Sequence, residues 1–364
     1  MNTAFSHALR VVICPACGEA VHGSPAGGTV ACPLCEADVH LPPRDEQPLP
    51  EGLTRGSESE RLERLRDQDR SSVELPADLS HLASARRLLP ERLADALTAW
   101  QELRRRLQAG DGAAEDAFYG LTLLLQRHMT GQDDDLQLRA VLETALEVLA
   151  SPSYRQVMRC SLALEAARVD DIAAARDWLA PCDQRAYDVA ADSAYRHAAA
   201  YIATRERNPH RVIEVLGPRG RDVPIAADRD AVCTLMRAHA YERLGRVTDA
   251  LDELAEGMVR LPDGTEAFDS VWHQHHDLDL CRGSYHRARE HVRATMRAPA
   301  ERRRRAWKRA LPWIVLALAS LAVALWIDPS LRIGGQRLDM LFFVLALSFA
   351  VPLLVLVLRR ARKR

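Results

Sequence analysis

Two apolar runs near the C-terminus stand out from the mixed hydrophobic and polar pattern of this 364-residue chain. Residues 310–327 are 18 positions without a charge, and residues 338–358 are 21 positions with one, Asp339. As helices rising 1.5 Å per residue these runs reach roughly 27 and 31 Å, against a bilayer core of about 30 Å. The pattern predicts two transmembrane helices joined by a short external loop over 328–337. Upstream, from Pro90 onward, apolar residues recur at helical spacing and glycine or proline divides them into segments. Glu91–Gln108, Ala113–Met129, Asp133–Ala150, shorter stretches to Ala180, and Asp183–Arg205 are the expected helices. Nothing there sustains strand alternation, so residues 86–300 are expected to form an all-α domain. Prolines at 42, 43, 48 and 50 and a scarcity of apolar residues predict a flexible linker over 43–85. Within it, Glu58–Arg70 reads as a solvated charged stretch with only Leu62 and Leu65 as anchors. Residues 1–42 differ again: Val11–Ile13 and Thr29–Ala31 read as short strands, with a turn at Gly27-Gly28.

Charge orients this arrangement. Residues 301–364 carry 13 Lys and Arg against three Asp and Glu, while residues 1–300 carry 36 against 47. The basic residues flank the two apolar runs, in a juxtamembrane segment at 301–309 and a tail at 359–364. By the positive-inside rule both termini face the cytoplasm, and Trp313 and Trp326 sit where interfacial rings belong. The basic flanks also offer contact to anionic lipid, at about 1 kcal/mol per exposed charge. Small residues four apart, Ser320 with Ala324 and Ala346 with Ala350, suit close packing of the two spans. Lys308 and Lys363 are the only lysines in an Arg-rich chain, a bias that suits a GC-rich bacterial genome and hence an inner-membrane location. An acidic cytosolic part counts against general nucleic-acid binding, which needs basic surface.

The candidate chemistry begins at the N-terminus. Cys14-Pro-Ala-Cys17-Gly18 and Cys32-Pro-Leu-Cys35 are two CxxC pairs whose spacing suits four thiolates on one tetrahedral zinc. On these residues the segment 1–42 resembles the zinc-ribbon, or rubredoxin-like, fingers. The resemblance implies a small β fold and a structural Zn2+ held by Cys14, Cys17, Cys32 and Cys35, with no open coordination position. Glu36 stands where the second knuckle often has glycine, a departure expected to affect knuckle geometry more than metal binding. His22 and His40 are expected to be exposed rather than ligands. A redox role for the pairs lacks the βαβ context it requires.

In the helical region, residues 231–264 carry Ala238, Tyr241, Gly245, Ala250, Leu254, Gly257 and Pro262. Their order and spacing are similar to a tetratricopeptide repeat, although Thr234 replaces the usual bulky residue. A second unit is expected near Asp269, with Trp272, Gly283 and Ala288 at matching places. Fainter matches involve Ala198, Tyr201 and Leu216, where Asn208-Pro209 disturbs the turn, and Leu162, Ala174 and Trp178. The resemblance implies a helical-repeat α-solenoid whose groove binds proteins or peptides, with Arg237 and Glu242 as groove candidates. His273 and His276 share a helical face that reads as a polar surface, with a metal pair as the alternative, and His276-Asp277 resembles a metal phosphohydrolase motif without its other ligands. Cys160, Cys182, Cys233 and Cys281 are expected to be buried free thiols. The chain has no phosphate loop, HExxH helix or GxSxG elbow. The sequence thus predicts a mainly α, non-enzymatic, membrane-anchored scaffold for protein–protein interaction. A membrane-tethered zinc-ribbon regulator associated with nucleic acid is the alternative, and a membrane-tethered enzyme the third.

Overall fold

The computed structural model describes residues 4–44, 57–68, 75–84, 87–130, 134–219, 223–260, 265–275 and 278–294, and two short strands at 332–333 and 336–337. The chain divides into two units, residues 1–289 and 290–364.

The first unit opens with four strands: β1 (Arg10–Ile13), β2 (Ala20–Gly23), β3 (Gly28–Ala31) and β4 (Asp38–Leu41). They form two antiparallel pairs, β1 with β2 and β3 with β4. Val12, Val21, Val39 and Leu41 close a small core with Cys14 and Cys32. Strand alternation sends the neighbours of Val12 the other way, and Val11 and Ile13 are buried as well. They meet a helix. Helices α2 (Leu93–Gln108), α3 (Glu115–Met129) and α4 (Asp135–Val148) follow the ribbon, and β1 packs on α4.

The remaining helices come in pairs. These are α5 (Pro152–Arg168) with α6 (Ile172–Leu179), α7 (Val189–Arg205) with α8 (Pro209–Leu216), and α9 (Ala227–Arg243) with α10 (Val247–Arg260). The first helices of successive pairs also touch: α5 packs on α7, and α7 on α9. Then come α11 (Thr265–Gln274), packed on α9 and α10, and a helix over 285–294. Within each pair the turn is the same. The second residue after the first helix takes a left-handed conformation, at Asp170 (φ 65°), Arg207 (φ 57°) and Gly245 (φ 76°). Its N–H donates to the carbonyl three residues back, in Ala167, Thr204 and Glu242. The next N–H donates five back, to Ala166, Ala203 and Tyr241. This is the Schellman closure, which satisfies carbonyls a helix end leaves free. Asn208 does not disturb its turn: its side chain accepts the Arg211 N–H and caps α8, with Pro209 at the first helical position.

The mainly helical character matches the sequence reading, and helices α2 to α4 end within two residues of their expected bounds. The linker expectation over 43–85 needs correction in the part described. Helix α1 (Glu58–Asp67) forms there, started by a capping box in which Ser57 and Glu60 exchange side-chain to backbone bonds. It is not a solvated stretch. Leu62 and Leu65 pack with Val189 of α7. Arg61, 1% exposed, donates to Asp192 at 2.5 Å, Glu58 at 2.7 Å and the Ala186 carbonyl at 3.1 Å. Residues 45–56 and 69–74 lie outside the described residues.

Among the described residues no helix is long and apolar enough to cross a membrane. The two apolar runs, 310–327 and 338–358, and the basic segments 301–309 and 359–364 lie outside the described residues. Within the second unit, β7 (Arg332–Ile333) pairs antiparallel with β8 (Gln336–Arg337), with Ile333 opposite Gln336. Before them, a minor hairpin links β5 (Ala83–Ser84) and β6 (Arg87–Leu88) in the first unit.

Candidate metal centre

The four cysteines of the ribbon converge. Strands β1 and β3 each lead into a knuckle built by backbone hydrogen bonds. Gly18 N–H donates to Cys14 O and Cys14 N–H to Glu19 O; Glu36 N–H donates to Cys32 O and Cys32 N–H to Ala37 O. The chain must enter the left-handed region to close each loop. Gly18 does so at φ 84°, and Glu36 does so at φ 60°. The departure from glycine at position 36 therefore leaves the knuckle intact, at a cost of about 1 kcal/mol for a side chain in that conformation.

The Sγ atoms of Cys14, Cys17, Cys32 and Cys35 all lie within 4.8 Å of one another. Cys14 and Cys35 are 3.8 Å apart, and Cys17 and Cys32 3.5 Å. A tetrahedron with Zn–S bonds of about 2.3 Å has sulfur–sulfur edges of roughly 3.8 Å, so the set fits zinc. Backbone N–H groups of Cys35 and then Leu34 hold the Cys32 thiol down at about 7, while at Cys17 the Glu19 N–H is outweighed by desolvation and the other three sulfurs, which push that thiol up to about 12. Cys14 and Cys32 are buried, Cys17 and Cys35 exposed. His22 and His40 are exposed and outside the sulfur cluster.

The ribbon is held to the helices by side chains rather than by a tether. Glu143 of α4 accepts the Val11 N–H at 2.6 Å and ion-pairs with Arg44 at 2.7 Å and Arg139 at 3.0 Å. Thr144 Oγ1 accepts the Ile13 N–H at 2.9 Å. In return Arg104 of α2 donates to Ile13 O at 2.8 Å, Gln137 to Gly18 O at 3.0 Å, and Trp178 of α6 to Phe5 O at 3.0 Å. Arg10 is buried against Glu147 and the Pro42 carbonyl. The open edge of β1 is thereby covered. The charged side chains left exposed on the ribbon are Glu19, Glu36 and Asp38, an acidic set that does not suit phosphate.

The helical candidates distribute differently from expectation. Arg237 does not line a groove: it is 8% exposed and pairs with Glu253 of α10 at 2.6 Å. The marker residues Ala238, Tyr241, Ala250 and Leu254 are fully buried. Gly257 is where α10 crosses closest: a Cβ there would stand 2.7 Å from Thr234 Cγ2 and 2.9 Å from Phe268. Thr234 is small because the helices meet on it. His273 joins no metal cluster among the described residues; its Nδ1 contacts the Asp269 carbonyl at 2.5 Å, and His276 and Asp277 lie outside those residues. Cys160, Cys182, Cys233 and Cys281 are buried.

A solvent-open cavity of about 650 Å³ runs along the paired turns, lined among others by Asp170, Arg207, Asn208, His239, Arg243 and Asp279. The sequence reading missed it, because its walls come from three successive turns. Compared with protein-family models, with curated proteins and with solved structures, the chain matches none.

Proposed function

We propose that this chain is a protein-recruiting scaffold, carried on a membrane by residues 310–358 and steadied by a structural zinc ribbon. The observation that carries the reading is the cavity along the shared turns of stacked helix pairs, a concave surface of the kind that tetratricopeptide-like solenoids offer to partners. Arg207 and Arg243 stand on its wall with no ion pair among the described residues, so it suits a partner segment bearing carboxylates. The ribbon, with an acidic exposed surface, serves as a folded part of the scaffold. The two apolar runs supply the anchor, with the termini on the cytoplasmic side.

The test is site-specific photo-crosslinking in cells of the full chain, with the probe at Asn208 in the cavity or at Glu102, exposed on α2. A discrete adduct from Asn208 alone, lost in Arg207→Glu/Arg243→Glu, is the expected result. Equal labelling from both positions would refute a partner groove. Carbonate-resistant sedimentation of the full chain, abolished by removing residues 310–364, tests the anchor.

A further inference from the structure

We propose that His239, Glu242 and Cys281 form a second metal centre, for a divalent ion of the zinc class, separate from the four-cysteine site. His239 and Glu242 are three apart on α9 and so share a face. The loop after α11 brings Cys281 to them across about forty residues of sequence, and one ligand atom from each lies within 4.8 Å of the others.

Three details point to a cation. The Glu242 carboxylate has one oxygen, Oε1, accepting the Gly283 N–H at 3.2 Å, while Oε2 is sealed from solvent and accepts no hydrogen bond. A buried carboxylate oxygen without a donor is costly unless a positive charge meets it. Gly283 makes that placement possible, since a Cβ there would stand 2.6 Å from Oε1. Cys281 is held in the left-handed region at φ 52°, a conformation that concentrates at functional sites when the residue is not glycine. His239 Nδ1 accepts the Cys281 N–H at 3.2 Å, so this nitrogen is unprotonated and can exchange that long bond for a metal.

Imidazole, carboxylate and thiolate together select zinc or cobalt over magnesium or calcium. Binding breaks the Cys281 S–H bond, now directed at Leu235 O at 3.1 Å, forms a sulfur–metal bond, and releases the proton to solvent. Three protein ligands leave one position open. His239 also lines the 650 Å³ cavity, which gives that position a route to solvent. The sequence hid this set because Cys281 reads as a core thiol and His239 as one helical polar residue among many.

Equilibrium dialysis of the full-length chain against Co2+, and separately Zn2+, tests the proposal by metal count. The wild type is expected to hold two ions per chain. Glu242→Gln and Cys281→Ser should each hold one with unchanged far-ultraviolet circular dichroism, and Cys14→Ser/Cys32→Ser should keep the mixed-ligand ion. A wild type that holds one ion, lost in Cys14→Ser/Cys32→Ser and kept in Glu242→Gln, overturns the second centre. So does a second ion that persists in both Glu242→Gln and Cys281→Ser. Glu242→Gln is nearly isosteric, so its count remains readable if Cys281→Ser fails to fold.

Discussion

At the scale of single residues, charge and burial decide what the chain tolerates. Burial pushes the His197 imidazole down to about 3, with Arg229 and His275 adding to the effect and Asp228 opposing it. Its Nε2 is sealed without a hydrogen-bond partner. In the unfolded chain the same ring titrates near 6.5. The unfolded state therefore takes up the extra proton first, and the stability due to neutral His197 is complete above pH 6.5. It is lost as pH falls toward 3, at up to about 1.4 kcal/mol per pH unit. Urea unfolding at pH 7 and pH 5 should show the wild type losing about 2 kcal/mol more than His197→Gln. Parallel losses would show that the ring is protonated in the folded state. None of this is legible in sequence, where His197 is one histidine of 13. The four clustered cysteines are the opposite case: paired spacing names them before any fold is known, since each knuckle is local. Arg237 misleads because its partner Glu253 lies on the next helix, and a helical wheel does not say which neighbour a face meets.

At the scale of elements, the helices were readable and their repetition only faintly so beyond residues 231–264. Apolar periodicity and breakers locate α2 to α4 closely. The tetratricopeptide-like signature shows clearly only where the turn uses Gly245. Asp170 and Arg207 adopt the same left-handed turn without glycine, so two of the three pairs keep the geometry and lose its sequence mark. Helix α1 illustrates a missed cue: Ser57 and Glu60 are a capping box in plain sight, set among prolines and charges that suggested a linker. Close approach is likewise visible only in three dimensions. Gly257→Ala gains about 1 kcal/mol of helix propensity but forces a methyl against Thr234 and Phe268. A net loss of about 1 to 2 kcal/mol is expected. Thr234→Ser, which removes the Cγ2 in the way, should recover part of it; thermal melts of the double-mutant cycle report the coupling.

At the scale of the whole molecule, the ribbon and the helices of the first unit behave as one body. Glu143, 3% exposed, holds Arg44, Arg139 and the Val11 N–H together. Glu143→Ala leaves two largely buried guanidinium groups without that carboxylate, and about 3 to 5 kcal/mol of stability should be lost. The metal count at the four-cysteine site should not change, because none of its ligands moves. Denaturant midpoints together with zinc content check both halves of that expectation. A variant as stable as the wild type would mean that the interface contributes little. The sequence did carry a hint of this docking. Val11-Val12-Ile13 is an unbroken apolar run, and a strand that short needs such a run only when both its faces are covered.

That double covering bears on how the protein could have arisen and been passed on. A small four-cysteine finger is usually thought of as a portable cassette, because metal alone can fold such a unit. Here the outer edge of its first strand is completed by carboxylate and hydroxyl groups that lie some hundred and thirty positions further along the chain. Transplanted alone, it would carry an unpaired edge and an uncovered Val11–Ile13 face into solvent, an invitation to self-association. Recombination between residues 44 and 135 would separate this strand from the groups that complete its edge.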